Sequence, residues 1–191
     1  MNARRSLLLA AALVMAAASF HATASTAEAQ SVDIRRPHRG SRPFQLDFHG
    51  GFTWWGYGAA AGARFGIPIL NNGFIDSINN AVYLNFGGDF YFLRYRRGGR
   101  DFEYHPGFGI PVSLHWEFYF SETWSAFAEV GVNVFFHPGF FRGELNDFWD
   151  HDYVGGWFLG AVGGRLHFNE NIAITLRVGV PYASFGVTFM F

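Results

Sequence analysis

The sequence predicts an all-β fold: an eight-stranded antiparallel up-and-down barrel that crosses a membrane. Three observations predict it. Apolar residues alternate with small, polar or charged ones over successive segments, and most segments have the roughly 9–11 residues that a tilted strand needs to cross hydrocarbon. The apolar faces of these segments carry no ionisable side chain except Tyr182 at one end, whereas the alternate faces hold glycines and a few charges. The last segment ends the sequence on Phe191 with no polar cap. Composition agrees: 24 Phe and 24 Gly coexist with a mean hydropathy of only +0.08. Helical spans would need whole oily segments, while a barrel averages a lipid-facing and a lumen-facing set to about neutral.

The first expected strand, residues 44–55, places Phe44, Leu46, Phe48, Phe52 and Trp54 on one side and Gln45, Asp47, His49 and Thr53 on the other. A tight turn through Gly56, Tyr57 and Gly58 leads to the second, 59–69. Its Ala61, Ala63, Phe65, Ile67 and Ile69 point outward, with Arg64 inward between glycines. Residues 70–80 form an unusually long connection. The third strand, 81–93, sets Val82, Leu84, Phe86, Phe90 and Phe92 against Tyr83, Asn85, Asp89 and Tyr91. A basic loop, 94–104, follows. The fourth, 107–120, alternates Phe108 through Phe120 with Ser113, His115, Glu117 and Tyr119.

After a short turn at 121–123, the fifth strand, 124–136, opposes a row of Ala and Val to Glu129 and Asn133. Residues 137–155 form the longest loop. The sixth strand, 156–168, carries Arg165 and His167 inward. Asn169, Glu170 and Asn171 make a compact turn into the seventh, 172–181, with Thr175 and Arg177 inward. A minimal turn at Tyr182 leads to the eighth, 183–191, where Ala183, Phe185, Val187, Phe189 and Phe191 share one face. Trp54, Tyr57, Trp116, Trp124 and Tyr182 fall near strand ends, where amphipathic rings prefer the headgroup level.

Ahead of the barrel, Arg4 and Arg5, an apolar run from Leu7 to Ala18, and two A-x-A sites read as an export signal. The expected organisation is therefore a signal over residues 1–29, cleaved after Ala29 with Ala24 the alternative. A flexible periplasmic lead-in covers 30–43, with four arginines and two prolines, and the barrel covers 44–191. The absence of Cys excludes disulfides, thiolate nucleophiles and zinc–thiolate sites. A formal charge of −1, with all 14 basic residues Arg, argues against a nucleic-acid binder.

The alternation that closes on Phe191 resembles the C-terminal signature of small Gram-negative outer-membrane barrels of the OmpA/OmpX transmembrane type. The resemblance covers the chain from about Phe44 onward. It implies an outer-membrane location among lipid and lipopolysaccharide, and insertion by the barrel-assembly machinery with Phe191 as the signal. It implies a monomer and does not imply peptidoglycan anchoring.

Inside such a barrel the sequence places Asp47, Asp89, Glu117 and Glu129 with Arg64, Arg165 and Arg177, plus His49, His115 and His167. Eight strands enclose a space that side chains just fill, so buried charges there must pair. If the turns at 121–123 and 169–171 are tight, Glu117 lies near Glu129 and Arg165 near Arg177. The expectation is that these hairpins face each other and close the lumen with Arg–carboxylate pairs. A narrow path for ions or small solutes is the alternative.

A lipid-modifying enzyme is the third reading. Outer-membrane lipid A deacylases show a His-x-Ser signature, which this sequence lacks; His167-Phe168-Asn169 comes nearest. The expectation is a non-enzymatic barrel with no cofactor and no metal. The outer loops are the remaining candidates: Arg94, Arg96, Arg97 and Arg100 in the basic one, and Phe140, Phe141, Phe148 and Trp149 in the acidic, aromatic one. Exposed aromatics in a loop invite a partner, whose identity the sequence leaves unknown.

Overall fold

The computed structural model describes residues 32–54, 58–96, 102–137 and 153–191. Its strands are β1 (Gln45–Thr53), β2 (Gly58–Leu70), β3 (Asn80–Arg96), β4 (Phe102–Tyr119), β5 (Trp124–His137), β6 (Tyr153–His167), β7 (Ile172–Val180) and β8 (Tyr182–Met190). Each pairs antiparallel with the next, and β8 returns to pair with β1, so the sheet closes and has no free first or last strand. Closure extends to the ends: Phe44 and Phe191 exchange backbone bonds at 2.9 and 3.1 Å.

The two-residue period decides which side chains go where. Phe48, Val130, Val132, Phe158, Val162, Leu176, Val178 and Phe185 are each at least half exposed on the outside. The alternating positions Asp47, Arg64, Asp89, Glu117, Glu129, Arg165 and Arg177 are almost wholly buried inside. A water-soluble barrel inverts this, because burying apolar surface is what drives its folding. The inner face also uses glycine where strands crowd. A Cβ at Gly87 would come within 2.0 Å of the Ala63 carbonyl oxygen, and one at Gly131 within 2.1 Å of the Val112 carbonyl oxygen.

The structure differs from the sequence expectation in several places. The basic loop expected over 94–104 is largely ladder: Arg94 pairs with Tyr104 and Arg96 with Phe102. Its charges masked strand-forming aromatics, and only residues 97–101 lie outside the description. The long loop is shortened likewise, with His137 paired to Tyr153.

Tyr182 is not a turn residue with its ring at the headgroup level. It opens β8 and points inward, 2% exposed. Pro181 ends β7 one residue earlier than expected and shifts the start of the next strand. Val82, expected on the outer face, keeps that orientation but is fully buried. It lies in register between Leu70 and Trp116, and the Trp116 indole is itself pinned by a 2.8 Å bond to Asn80 Oδ1 and by the Phe74 ring 5.3 Å away.

Finally, residues 32–43, expected as a flexible lead-in, are held to the barrel at several points, while Arg35, Arg36, Pro37, Arg39, Gly40 and Ser41 stay exposed. They run across the end of the barrel that carries the start of β1 and the end of β8, called here the terminal end. The Asn79 amide bonds the Ile34 carbonyl at 2.8 Å, Asp33 bridges to Ser121, and the His38 and Arg42 amides donate to Asn72 and Asn71 at 3.0 Å. Lack of periodicity in this stretch signalled no strand, but side chains of the 70–80 connection hold it by bonds that no local pattern encodes.

Candidate functional site

The inward face of every strand contributes to one continuous polar network. Arg165 on β6 donates from Nη1 to Glu117 Oε2 at 2.6 Å, and its Nε donates to Thr175 Oγ1 at 3.2 Å. Arg177 on β7 makes a two-point contact with Glu129: Nε to Oε2 at 3.0 Å and Nη2 to Oε1 at 3.2 Å. Two planar partners in this arrangement fix each other's orientation as well as their charge. Arg177 Nη1 also reaches Asp47 Oδ1 at 3.5 Å. Arg64 donates to Glu129 Oε2 at 2.9 Å and stands 3.5 Å from Asp89 Oδ2.

Thus the four acids and three arginines expected inside do come together there. The hairpin geometry explains how. Glu117 pairs in register with Phe127, two residues from Glu129, while Arg165 pairs with Thr175, two residues from Arg177. The Phe127 ring fills the gap, with both guanidinium carbons about as far from its centroid, 5.4 Å for Arg165 and 5.5 Å for Arg177.

Neutral groups supply further bonds to the carboxylates. Glu117 accepts from Gln45 Nε2 at 3.1 Å, Tyr119 OH at 3.1 Å and Ser125 Oγ at 2.6 Å. Thr188 donates to Asp47 at 3.0 Å and meets Thr175 at 2.6 Å, linking the Arg165 and Arg177 halves. Tyr182 donates to Asp89 at 2.7 Å and accepts from Arg64 at 2.5 Å. His49 sets one ring nitrogen 2.9 Å from Asp47 and the other 3.1 Å from Asp89. The three guanidiniums are thereby matched against the four carboxylates, with an imidazole between two of them. Pairing of this kind is what makes a buried ionic cluster tolerable.

Aromatic layers bound the network at both ends. Towards the loops, Tyr91, Phe135 and Tyr182 are buried together with Ala60, and Trp157 stacks on Phe135 at 4.6 Å. Towards the terminal end, Tyr83, Tyr119 and Ala81 form a floor, with the two phenols 3.0 Å apart.

Sequence parity locates most of this set, Tyr83 and Tyr91 included. It misses Tyr182, whose strand start it misplaces, and it gives no sign that Gln45, Ser125 and Thr188 complete the carboxylates while Thr175 accepts from Arg165. Of the outer-loop candidates, Arg94 and Arg96 lie on β3, while Arg97, Arg100, Phe140, Phe141, Phe148 and Trp149 lie outside the described residues.

One arrangement resembles part of a hydrolytic site and is wired differently. Ser125 Oγ is 2.8 Å from His167 Nε2, near the terminal end. The acid beside them, Glu117, bonds the serine rather than the imidazole, whereas a triad places the histidine between the other two. Ser125 is also only 3% exposed, so no acyl group reaches it. Among the described residues no group of three or more His, Asp or Glu side chains is placed to hold a metal ion.

No family model and no curated protein matches the sequence. Among solved structures, the chain is similar to the N-terminal β-barrel domain of Pseudomonas aeruginosa OprF. The match has a TM-score of 0.48 and 13% identity, covering 80% of this chain and all of that one. It is also similar to the Yersinia pestis outer membrane protein Ail in a phospholipid bilayer nanodisc, with a TM-score of 0.47 and 11% identity, covering 79% of this chain and all of that one.

Proposed function

We propose that this chain is a small outer-membrane barrel of a Gram-negative bacterium, structural in role, with a lumen closed to solutes and its loops available for surface interaction. The observation that carries this is the inversion of polarity. Side chains that would be a soluble protein's core face outward all round, and the ionised ones are sealed inside in mutual contact. Only a surrounding of hydrocarbon makes both halves favourable at once.

On this reading residues 1–29 direct export and the terminal end faces the periplasm. Phe191, at the closing seam beside Phe44, is the mark that the barrel-assembly machinery reads. Lipopolysaccharide surrounds the loop end. The 97–101 segment with Arg97 and Arg100, and the loop holding Phe140, Phe141, Phe148 and Trp149, are the surfaces offered to an extracellular partner.

The network supports closure over conduction. An ion crossing the lumen would have to part Arg177 from Glu129 and Arg165 from Glu117, each pair buried and bonded on several sides. Replacing such contacts with a hydrated path costs several kcal/mol per charge, on the order of what breaking a buried pair costs. In a planar lipid bilayer the purified protein is expected to give no steady conductance at neutral pH. Regular, long-lived openings would instead identify a narrow pore and remove the structural reading.

A further inference from the structure

The segment over the terminal end has a placement that the lumen network does not require. It starts at Val32, which packs against the floor of Ala81, Tyr83 and Tyr119. It bridges to the β4–β5 turn through Asp33 and Ser121, then crosses to the long β2–β3 connection, where Asn79, Asn72 and Asn71 bond it in turn. It ends at Arg42, whose guanidinium carbon lies 4.0 Å from the centroid of the Tyr119 ring. The Arg42 side chain is 9% exposed and donates from Nε to the Asn71 carbonyl at 3.1 Å and from Nη2 to Asn79 Oδ1. A cation held on a ring and bonded from two of its nitrogens is a fixed piece of structure, unlike a solvated side chain.

Span and chemistry together point to a lid. The segment touches three separate parts of the rim: the start of β1, the β2–β3 connection and the β4–β5 turn. Its two anchored side chains, Val32 and Arg42, both rest on the phenolic floor. We propose that residues 32–43 are a stopper that seals the terminal mouth of the lumen, a second closure separate from the Arg–carboxylate network above it. The inference rests on the outer-membrane reading only for naming that mouth periplasmic; the seal itself follows from the contacts.

Sequence and geometry supply a direct test. The chain has no cysteine, and Ala81 is small, wholly buried and in the floor beneath Val32. Ala81→Cys is therefore a unique thiol under the stopper. In detergent-solubilised full-length protein it should react slowly with a charged thiol reagent. Reaction should be at least about ten-fold faster once residues 32–41 are deleted, or once Arg42→Ala and Val32→Ser are combined in the full chain. Thr123→Cys in the exposed β4–β5 turn should react quickly in every background, and heat-dependent gel migration reports which variants are folded.

Equal Ala81→Cys rates in folded proteins with and without the segment would overturn the stopper. Failure of both variants to fold would also overturn it, by making the segment part of the barrel frame. The reagent meets the mouth from solution wherever the barrel resides, so this result stands apart from the membrane assignment. That assignment is addressed by adding the same reagent to intact and to permeabilised cells.

Discussion

Replacing Arg165 with Met should destabilise the folded barrel by about 3–5 kcal/mol, the cost of stranding a buried charge. The reason lies in what Glu117 has left. Arg165 is the guanidinium that reaches it, at 2.6 Å, and the remaining partners are Gln45, Tyr119 and Ser125, with His115 3.5 Å away. Hydrogen bonds from neutral groups soften the loss of a cation but do not cancel the charge. Met keeps most of the volume beside Phe127, so the measured effect is electrostatic rather than a cavity.

Arg177→Met should cost less, because Glu129 keeps Arg64 at 2.9 Å and His115 at 2.8 Å. Urea unfolding in liposomes, followed by tryptophan fluorescence, gives both values. Adding Glu117→Gln to Arg165→Met should recover a substantial part of the loss, since it removes the stranded charge. If the double variant is no more stable than the single one, the pair is not coupled as described.

The second large effect lies on the other face. Val162 is 63% exposed on β6, flanked in register by Ala128 and Val178. Val162→Arg should lower stability in a bilayer by about 2–4 kcal/mol, the cost of a guanidinium near the hydrocarbon midplane. The same change at Thr123, in the exposed turn between β4 and β5, should be within about 0.5 kcal/mol of neutral. Paired unfolding curves in liposomes make the comparison. A soluble barrel would invert the expectation, since an arginine for an exposed valine in water is harmless.

The sequence discloses what period two governs. Phe185, Val187 and Phe189 against Ser184, Gly186 and Thr188 fix one strand's faces without reference to any other residue. The same parity applied to β4, β5, β6 and β7 places Glu117, Glu129, Arg165 and Arg177 inside, and short turns place them level with one another. Strand lengths are less legible. Arg94 and Arg96 carry charge that reads as loop, yet a hairpin rising beyond the hydrocarbon no longer needs an oily face, so charge and ladder coexist there.

Tyr182 shows a different failure. Its position after Pro181 suggests a turn, and only the register against Thr53 reveals it as the first inward residue of β8. The segment 32–43 is the least legible of all. Its bonds run to Asn71, Asn72 and Asn79, between 29 and 45 residues away along the chain, and neither composition nor spacing encodes a contact at that separation.

A membrane barrel requires that the outer face meet hydrocarbon. The most direct measurement places a nitroxide spin label at Val162, through Val162→Cys in this cysteine-free chain, in protein reconstituted into phospholipid vesicles. Power-saturation spectra should show the label readily reached by oxygen, which concentrates in lipid, and shielded from a water-soluble nickel chelate. A label open to the chelate and poorly reached by oxygen would put water against that face and contradict the membrane barrel.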